Sequence, residues 1–303
     1  MEKGKPLGEK EERLPRWSVV IPSYNEGKRI RAYLQEITAY FYARGESVEI
    51  IVVDDGSQDA TRTVVEDLRQ ACSTLRLIRL ASNHGKGYAV RTGMMSAIGE
   101  LCLFADADGA TPIKEIEKLE ARIIAGADIA IGSRALWSPT IILKAKLYRK
   151  ALSRIFSLAV RCLGVKSIVD TQCGFKLFRA RVAKELFSVL QIDGYGFDVE
   201  LLFVAQQYGY YIAQVAVNWT DQAGSKVRVP RDGLRMLKEV WTIRKNYLCG
   251  LYPRPGGTTR HLPSTVEARP VAGNGKWQYA GLRKSRHRER PGQDPGCASP
   301  PTL

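Results

Sequence analysis

The chain is poor in the residues that most nucleophilic enzymes depend on. It has three histidines, two of which, His261 and His287, lie in the C-terminal stretch, and no Gly-x-Ser-x-Gly element occurs. The sequence therefore offers no Ser, His or Cys constellation for covalent catalysis. Its six cysteines (Cys72, Cys102, Cys162, Cys173, Cys249 and Cys297) are scattered and include no Cys-x-x-Cys pair. That spacing argues against zinc and for reduced thiols in a cytosolic compartment. No apolar run approaches the ~18 uncharged residues that span a bilayer, and residues 1–16 are charged throughout, so neither a membrane anchor nor a signal peptide is expected. The first strand is not followed by Gly-x-Gly-x-x-Gly or by Gly-x-x-x-x-Gly-Lys-Ser/Thr, which argues against a dinucleotide fold and a P-loop NTPase.

Acids are missing from one long stretch. Between Asp128 and Asp170 lie 41 residues with eight Lys or Arg and no Asp or Glu. The overall charge is +15, and residues 251–303 contribute nine Lys or Arg against three acids, among eight prolines and seven glycines. Such a composition cannot bury a core and predicts a disordered tail. The expected organisation is a charged extension over 1–16, one catalytic domain over 17–250, and the basic tail over 251–303.

What is present is a pair of apolar runs that each end in carboxylates: Glu49-Ile-Ile-Val-Val-Asp54-Asp55-Gly56-Ser57 and Leu101-Cys-Leu-Phe-Ala-Asp106-Ala-Asp108-Gly109. Runs of this kind read as buried parallel strands opening into loops at the end where open α/β sheets bind ligands. Asp106 and Asp108 can turn the same way, and their hard oxygens suit one Mg²⁺ or Mn²⁺ that also needs substrate phosphates to complete its shell. Strand termination alone is the competing explanation of either run. Lys86, between Gly85 and Gly87 at a helix start, is expected to reach a phosphate whose approach the glycines permit. Asp59 precedes a helix and is expected to cap it.

Strands and helices alternate at the spacing of βαβ units as far as residue 131, which predicts a doubly wound α/β sheet. Beyond Ser133 the spacing predicts a long basic helix over 139–163, a strand over 175–178, helices over 181–190 and 197–208, a strand over 212–219 and a last helix over 232–246.

Pro22-Ser23-Tyr24-Asn25-Glu26, Val53-Asp54-Asp55-Gly56-Ser57-x-Asp59, Asn83-His-Gly85-Lys86-Gly87 and Asp106-Ala-Asp108-Gly109, in that order, resemble the nucleotide half of a family 2 glycosyltransferase with the GT-A fold. Further on, Gly132-Ser133-Arg134, Asp170-Thr-Gln-Cys-Gly174-Phe175-Lys176-Leu-Phe178, Gly196-Phe197-Asp198-Val-Glu200 and Val217-Asn-Trp219 before Gly224-Ser225-Lys226 resemble the dolichyl-phosphate β-glucosyltransferases and related polyprenyl-phosphate enzymes. The resemblance covers about residues 17–247. It implies a metal-dependent, inverting transfer of glucose from a nucleotide-sugar donor, UDP-glucose, to a polyprenyl or dolichyl phosphate. GDP-mannose as donor, or a soluble acceptor, is the alternative.

By the same resemblance Pro22, Tyr24, Glu26 and Asp55 line the base and ribose pocket, and Asp108, Asp170, Asp198 and Arg134 are the candidate catalytic residues. A lipid monophosphate needs little activation, because its second pKa of about 6 leaves it largely dianionic at neutral pH. What such a reaction needs is cations, and Arg134, Lys176 and Lys226 are the candidates for cradling the acceptor phosphate. Asp170 and Asp198 either orient the acceptor or donor sugar or have a structural role, capping or pairing with a nearby Arg. Drawn as a helix, Lys146, Lys150, Arg154 and Arg161 share an arc of about 80° opposite an apolar face. This stripe suits an anionic membrane surface, placing the protein peripherally on the cytoplasmic membrane face, or else the helix packs on the sheet. Paired strand-end carboxylates would repel a phosphate backbone, so no specific nucleic-acid partner is expected. Nothing in the sequence indicates an oligomeric state.

Overall fold

The computed structural model describes residues 14–136, 143–144, 160, 164–165, 167–222, 229–253, 269–270 and 277–278. Its strands are β1 (Trp17–Ser23), β2 (Val48–Asp54), β3 (Leu75–Arg79), β4 (Leu101–Ala105), β5 (Ile129–Ser133), β6 (Leu143–Lys144), β7 (Phe175–Arg179), β8 (Ile212–Ala216), β9 (Trp219–Thr220), β10 (Arg269–Pro270) and β11 (Trp277–Gln278). The helices are α1 (Ile30–Arg44), α2 (Thr61–Ala71), α3 (Lys86–Ser96), α4 (Ile116–Ile124), α5 (Ala180–Phe187), α6 (Phe197–Gln207) and α7 (Val229–Leu248).

Seven strands form one sheet in the order β3-β2-β1-β4-β7-β5-β8, with β7 antiparallel to both neighbours and the other pairings parallel. Strands buried on both faces read as continuous apolar runs, which is why β1 is buried along its whole length. Alternate residues separate into two cores. Val20, Ile51, Val53, Phe104 and Phe178 pack with residues of α3, α5 and α6. Val19, Ile21, Ile50, Val52, Leu103, Phe175 and Leu177 pack with residues of α1, α2 and α4. The mixed α/β architecture is the one expected.

Three local expectations change. Leu143–Lys144 is a short strand paired with Trp219–Thr220, not the first turns of a helix, and the stripe Lys146, Lys150, Arg154 and Arg161 lies outside the described residues. The strand expected over 212–219 leaves the sheet at Ala216, because the Asn218 backbone N–H and side-chain Nδ2 donate to the buried Glu115 carboxylate at 3.1 and 2.9 Å. In the tail, which forms a separate unit from residue 261, Arg269–Pro270 pairs antiparallel with Trp277–Gln278. The remainder of the stretch expected to be disordered lies outside the described residues, apart from 251–253.

Cys72, Cys102, Cys173 and Cys249 are free thiols. Burial pushes the Cys102 thiol up to about 11 and that of Cys173 up to about 12.

Candidate active site

The sheet order reverses at β1: the chain winds outward through β2 and β3, then returns to place β4 on the other side. The crevice beyond the carboxyl ends of β1, β2 and β4 is thus the topological switch point where open sheets bind ligands. Two loops rim it and brace each other. Asn25, at the left-handed φ of 56°, accepts the Gln58 N–H at 2.8 Å, and its own N–H donates to Ser57 Oγ at 2.9 Å.

At the end of β4, the antiparallel register sets Ala105 against Phe175, so the residues entering β7 lie beside the residue leaving β4. The Asp106 N–H donates to the Gly174 carbonyl at 3.0 Å. Lys86 opens α3 and places its Nζ 2.7 Å from Asp106 Oδ1. Its ammonium and that of Lys176 sit 5.3 and 5.6 Å from the centre of the Phe104 ring, a cation–π arrangement shared by two lysines. Burial acts to lower the Lys86 pKa, but the charges of Asp106 and Asp198 outweigh it and hold the ammonium above its ordinary range.

Asp108 accepts the Ala110 N–H at 3.1 Å and lies 3.8 Å from Arg29 Nη1. Burial and then the neighbouring Asp106 carboxylate push its pKa up, against the Ala110 N–H, Arg29 and Lys86. Two mutually repelling carboxylates at a strand end fit a hard divalent cation, which would relieve that repulsion. No cluster of three or more His, Cys, Asp or Glu side chains suited to a metal occurs among the described residues. A cation held by Asp106 and Asp108 would need further oxygens, from ligand or water, to complete its shell.

A second cluster faces Asp106 across a narrow recess bordered by Tyr33, Gly174 and Trp219. Arg134 donates from Nε and Nη2 to the two oxygens of Asp170 at 2.7 and 2.8 Å, and its backbone N–H adds a third bond at 2.9 Å. The Trp219 ring lies 5.5 Å from the guanidinium carbon. Burial opposes ionisation of both partners, yet their mutual bonds hold Arg134 above its usual range and Asp170 below the usual carboxylate range. Since β9 starts with Trp219, the Glu115–Asn218 bonds that end β8 also aim this ring.

Several expected roles are corrected by burial. Lys176 is fully buried and pairs with Asp198 and the Cys173 carbonyl, so it does not reach an acceptor phosphate from its observed position. It sits on β7 between β4 and β5, and alternation points it toward the covered face, where Asp198 lies in the first turn of α6. Asp198 is accordingly a buried partner, its pKa raised by burial against the pull of Lys176 and Lys86. The glycines beside Lys86 make room for a neighbouring backbone. A Cβ at Gly85 or Gly87 would come within 2.5 and 2.3 Å of the carbonyl oxygens of Asp193 and Ile192, and the Gly87 N–H donates to Asp193 at 2.7 Å.

Asp55 is also engaged: its two oxygens accept the His84 and Gly85 N–H groups, each at 2.8 Å, so it anchors the loop that carries Lys86. Glu26 is clamped by Arg29, at 2.7 Å from Nε. Asp54 accepts the Ser57 N–H, and Asp59 accepts the N–H groups of Thr61 and Gly27, the capping role expected of it joined by a tie to the first loop. Pro22 lies in β1 and Tyr24 is half-buried just beyond it, whereas Lys226 is outside the described residues.

Residues 18–187 match the family model described as "Glycosyl transferase family 2". The chain belongs to that family. The transferase is 42% identical over 248 residues to the human dolichyl-phosphate beta-glucosyltransferase, spanning 78% of this chain and 76% of the relative. It is 39% identical over 247 residues to the Dictyostelium discoideum protein of the same name, with the same coverage. Among solved structures it is similar to glucosyl-3-phosphoglycerate synthase from Mycobacterium tuberculosis in complex with UDP, at TM-score 0.56 and 21% identity over 80% of this chain and 82% of that one. It is likewise similar to mannosyl-3-phosphoglycerate synthase from Rubrobacter xylanophilus, at TM-score 0.57 and 20% identity over 88% and 86%. These likenesses identify the GT-A fold.

Sequence reasoning missed four residues that shape the transferase's site. Arg29 reaches Asp108 from the residue preceding α1, and nothing in its local sequence marks it. Tyr33, held by a bond to the Thr111 carbonyl at 3.2 Å, appears in α1 only as a core residue. Phe104 lies under both lysines, and Trp219 packs on Arg134. Trp219 had a signal, the Val-Asn-Trp break that ends an alternating strand.

Proposed function

We propose that the transferase moves glucose from UDP-glucose to a dolichyl or polyprenyl phosphate, with inversion at the anomeric carbon. The observation that carries this reading is the likeness, at 37–43% identity over 76% of their length, to relatives named dolichyl-phosphate beta-glucosyltransferase. The site geometry supports it, because the cations needed for transfer between two phosphorylated partners stand on either side of Asp106.

In this reading Asp106 and Asp108 hold Mg²⁺ or Mn²⁺. A bound cation supplies positive charge that offsets the charge on the departing diphosphate. A similar fold has been solved as glucosyl-3-phosphoglycerate synthase with Mn²⁺ and UDP-glucose, which supports a divalent ion for this one. Lys86, kept charged by its acidic neighbours, adds a second fixed charge on the donor side. The end of β1 at Pro22 and the first loop with Tyr24 and Glu26, beside the Asp55 anchor, border the nucleoside. Arg134 is oriented by Asp170 and Trp219 toward the recess next to Asp106 and meets the acceptor phosphate. That phosphate is already dianionic near neutral pH, so its oxygen attacks without a protein base. The acceptor lipid brings the transferase to an anionic membrane surface, peripherally and on the cytoplasmic face; no helix among the described residues is long and apolar enough to cross a membrane.

A panel of UDP- and GDP-sugars with a short polyprenyl phosphate tests this directly. UDP-glucose is expected to yield lipid-linked glucose. Product from GDP-mannose instead would overturn the donor assignment, and equally efficient transfer to the free polyprenol would overturn the direct attack.

A further inference from the structure

The last helix of the catalytic domain has a composition on its outer face that its fold does not explain. The inner face of α7 is ordinary: Met236, Val240 and Ile243 are buried, and Tyr247 meets Phe203 edge to face at 5.2 Å. On the outer face Trp241 is 78% exposed and Leu248 71%, and Leu251, just past the helix end, is 50% exposed. A Trp left this open forgoes a large burial gain that any packed position would provide. Trp241 and Leu248 are seven residues apart and stand almost in line along the helix.

The charges around them are of one sign. At 3.6 residues per turn, Lys238 and Lys245 fall to one side of Trp241 and Arg244 to the other, all within an arc of about 120°. All three are exposed. The helix's acid in this stretch, Glu239, points inward, where it accepts the Gly196 N–H at 2.7 Å and Arg235 Nε at 3.1 Å. Among the described residues the arc therefore presents two large exposed apolar side chains, beside the half-buried Leu237, bracketed by three cations and no acid. That pattern is complementary to an anionic lipid surface: the indole and leucines enter the boundary of headgroups and acyl chains while the cations meet the headgroups. A protein partner of opposite charge would equally meet the lysines. The alignment of Trp and Leu along a helix axis, with cations on both sides, instead matches a helix lying flat in an interface.

We propose that the Trp241–Leu248 face of α7, with Lys238, Arg244 and Lys245, docks the transferase on an anionic membrane. The inference rests on the reading that the acceptor is a membrane lipid, and it assigns the contact to a different helix from the basic stretch singled out in the sequence. The docked helix also braces the loop that packs beside Lys86, since Glu239 on its inner face accepts the Gly196 N–H and Asp193 of the same loop accepts the Gly87 N–H. A Cβ at Gly194 would fall 2.0 Å from Glu239 Oε1, so the two are in close contact.

The test is sedimentation of the full chain with phosphatidylcholine vesicles, with and without phosphatidylserine, at two salt concentrations. Wild type is compared with Trp241→Ser/Leu248→Ser and with Lys238→Glu/Lys245→Glu. All four positions are exposed, so unfolding is not expected, and thermal melting checks it. Each double variant is expected to bind the mixed vesicles about tenfold more weakly, with only the charge variant losing its salt sensitivity. Transfer to a soluble short-chain acceptor should stay at the wild-type rate. Unchanged vesicle binding in both variants would overturn the proposal, as would a concentration-dependent dimer abolished by Trp241→Ser/Leu248→Ser, which would make the face a contact between copies. Because binding is read without turnover, absence of transfer to any lipid phosphate would defeat the proposed function and leave this result standing.

Discussion

Gly174 lies so close to Asp106 that a Cβ built on it would fall 2.0 Å from Asp106 Oδ2. The carboxylate that reaches Lys86 is therefore positioned by an absence of side chain at the residue that enters the neighbouring antiparallel strand β7. Gly174→Ala obliges the Asp106 carboxylate to turn away while the backbone stays in place. Stability is expected to change by no more than about 1 kcal/mol, whereas turnover falls by about tenfold to a hundredfold, as for misplaced catalytic groups. Urea unfolding and steady-state rates measured on the same preparation check both; full activity would show that the position of Asp106 is not critical.

Metal removal provides the second check. EDTA is expected to abolish transfer and added Mn²⁺ or Mg²⁺ to restore it. Asp108→Asn should lower the rate about a hundredfold or more, in keeping with loss of several kcal/mol of charge stabilisation. The variant should keep the wild-type circular dichroism spectrum. Activity that persists in EDTA would remove the metal from the mechanism.

The Lys176–Asp198 pair predicts a stability effect in place of an acceptor effect. Lys176→Met leaves a buried carboxylate without its main partner, which typically costs about 3–5 kcal/mol. Lys176→Met combined with Asp198→Leu removes both charges and is expected to regain most of that loss. A Lys176→Met protein of wild-type stability with a raised KM for the acceptor would contradict the buried position.

The Arg134–Asp170 pair sets an acid limit. Arg134 holds the Asp170 carboxyl below its ordinary value in the folded protein, so on acidification the unfolded chain takes up this proton first. The stabilisation is full above the unfolded value of about 4 and is lost as pH falls through the folded value. Comparing wild type with Asp170→Asn in urea at several pH values, the stability gap should be constant between about pH 7 and pH 5 and shrink below about pH 4. A gap that does not change with pH would mean the carboxylate is not selectively stabilised on folding.

The order of strands and helices through residue 133 was legible in the sequence, because buried parallel strands and amphipathic helices carry distinct periodicities. So were the strand-end carboxylates: Asp and Gly directly after an apolar run mark where a sheet opens. Local sequence alone thus determined the doubly wound α/β sheet and the strand-end and helix-start positions of Asp106, Asp108 and Lys86, while the GT-A class followed from the resemblance of the motifs to family 2 glycosyltransferases. What only the tertiary structure decided is which charges face outward. Lys176 and Arg134 look alike in sequence, each a base in a stretch of β-prone residues. The antiparallel insertion of β7 buries the first against Asp198 and leaves the second at the rim on Asp170 and Trp219. Likewise Gly85 and Gly87 announce a close approach without saying of what. The approaching group is the Ile192–Asp193 backbone, more than a hundred residues later in the chain. Periodicity records which face of an element is covered, while the covering group is chosen by contacts between segments far apart in sequence.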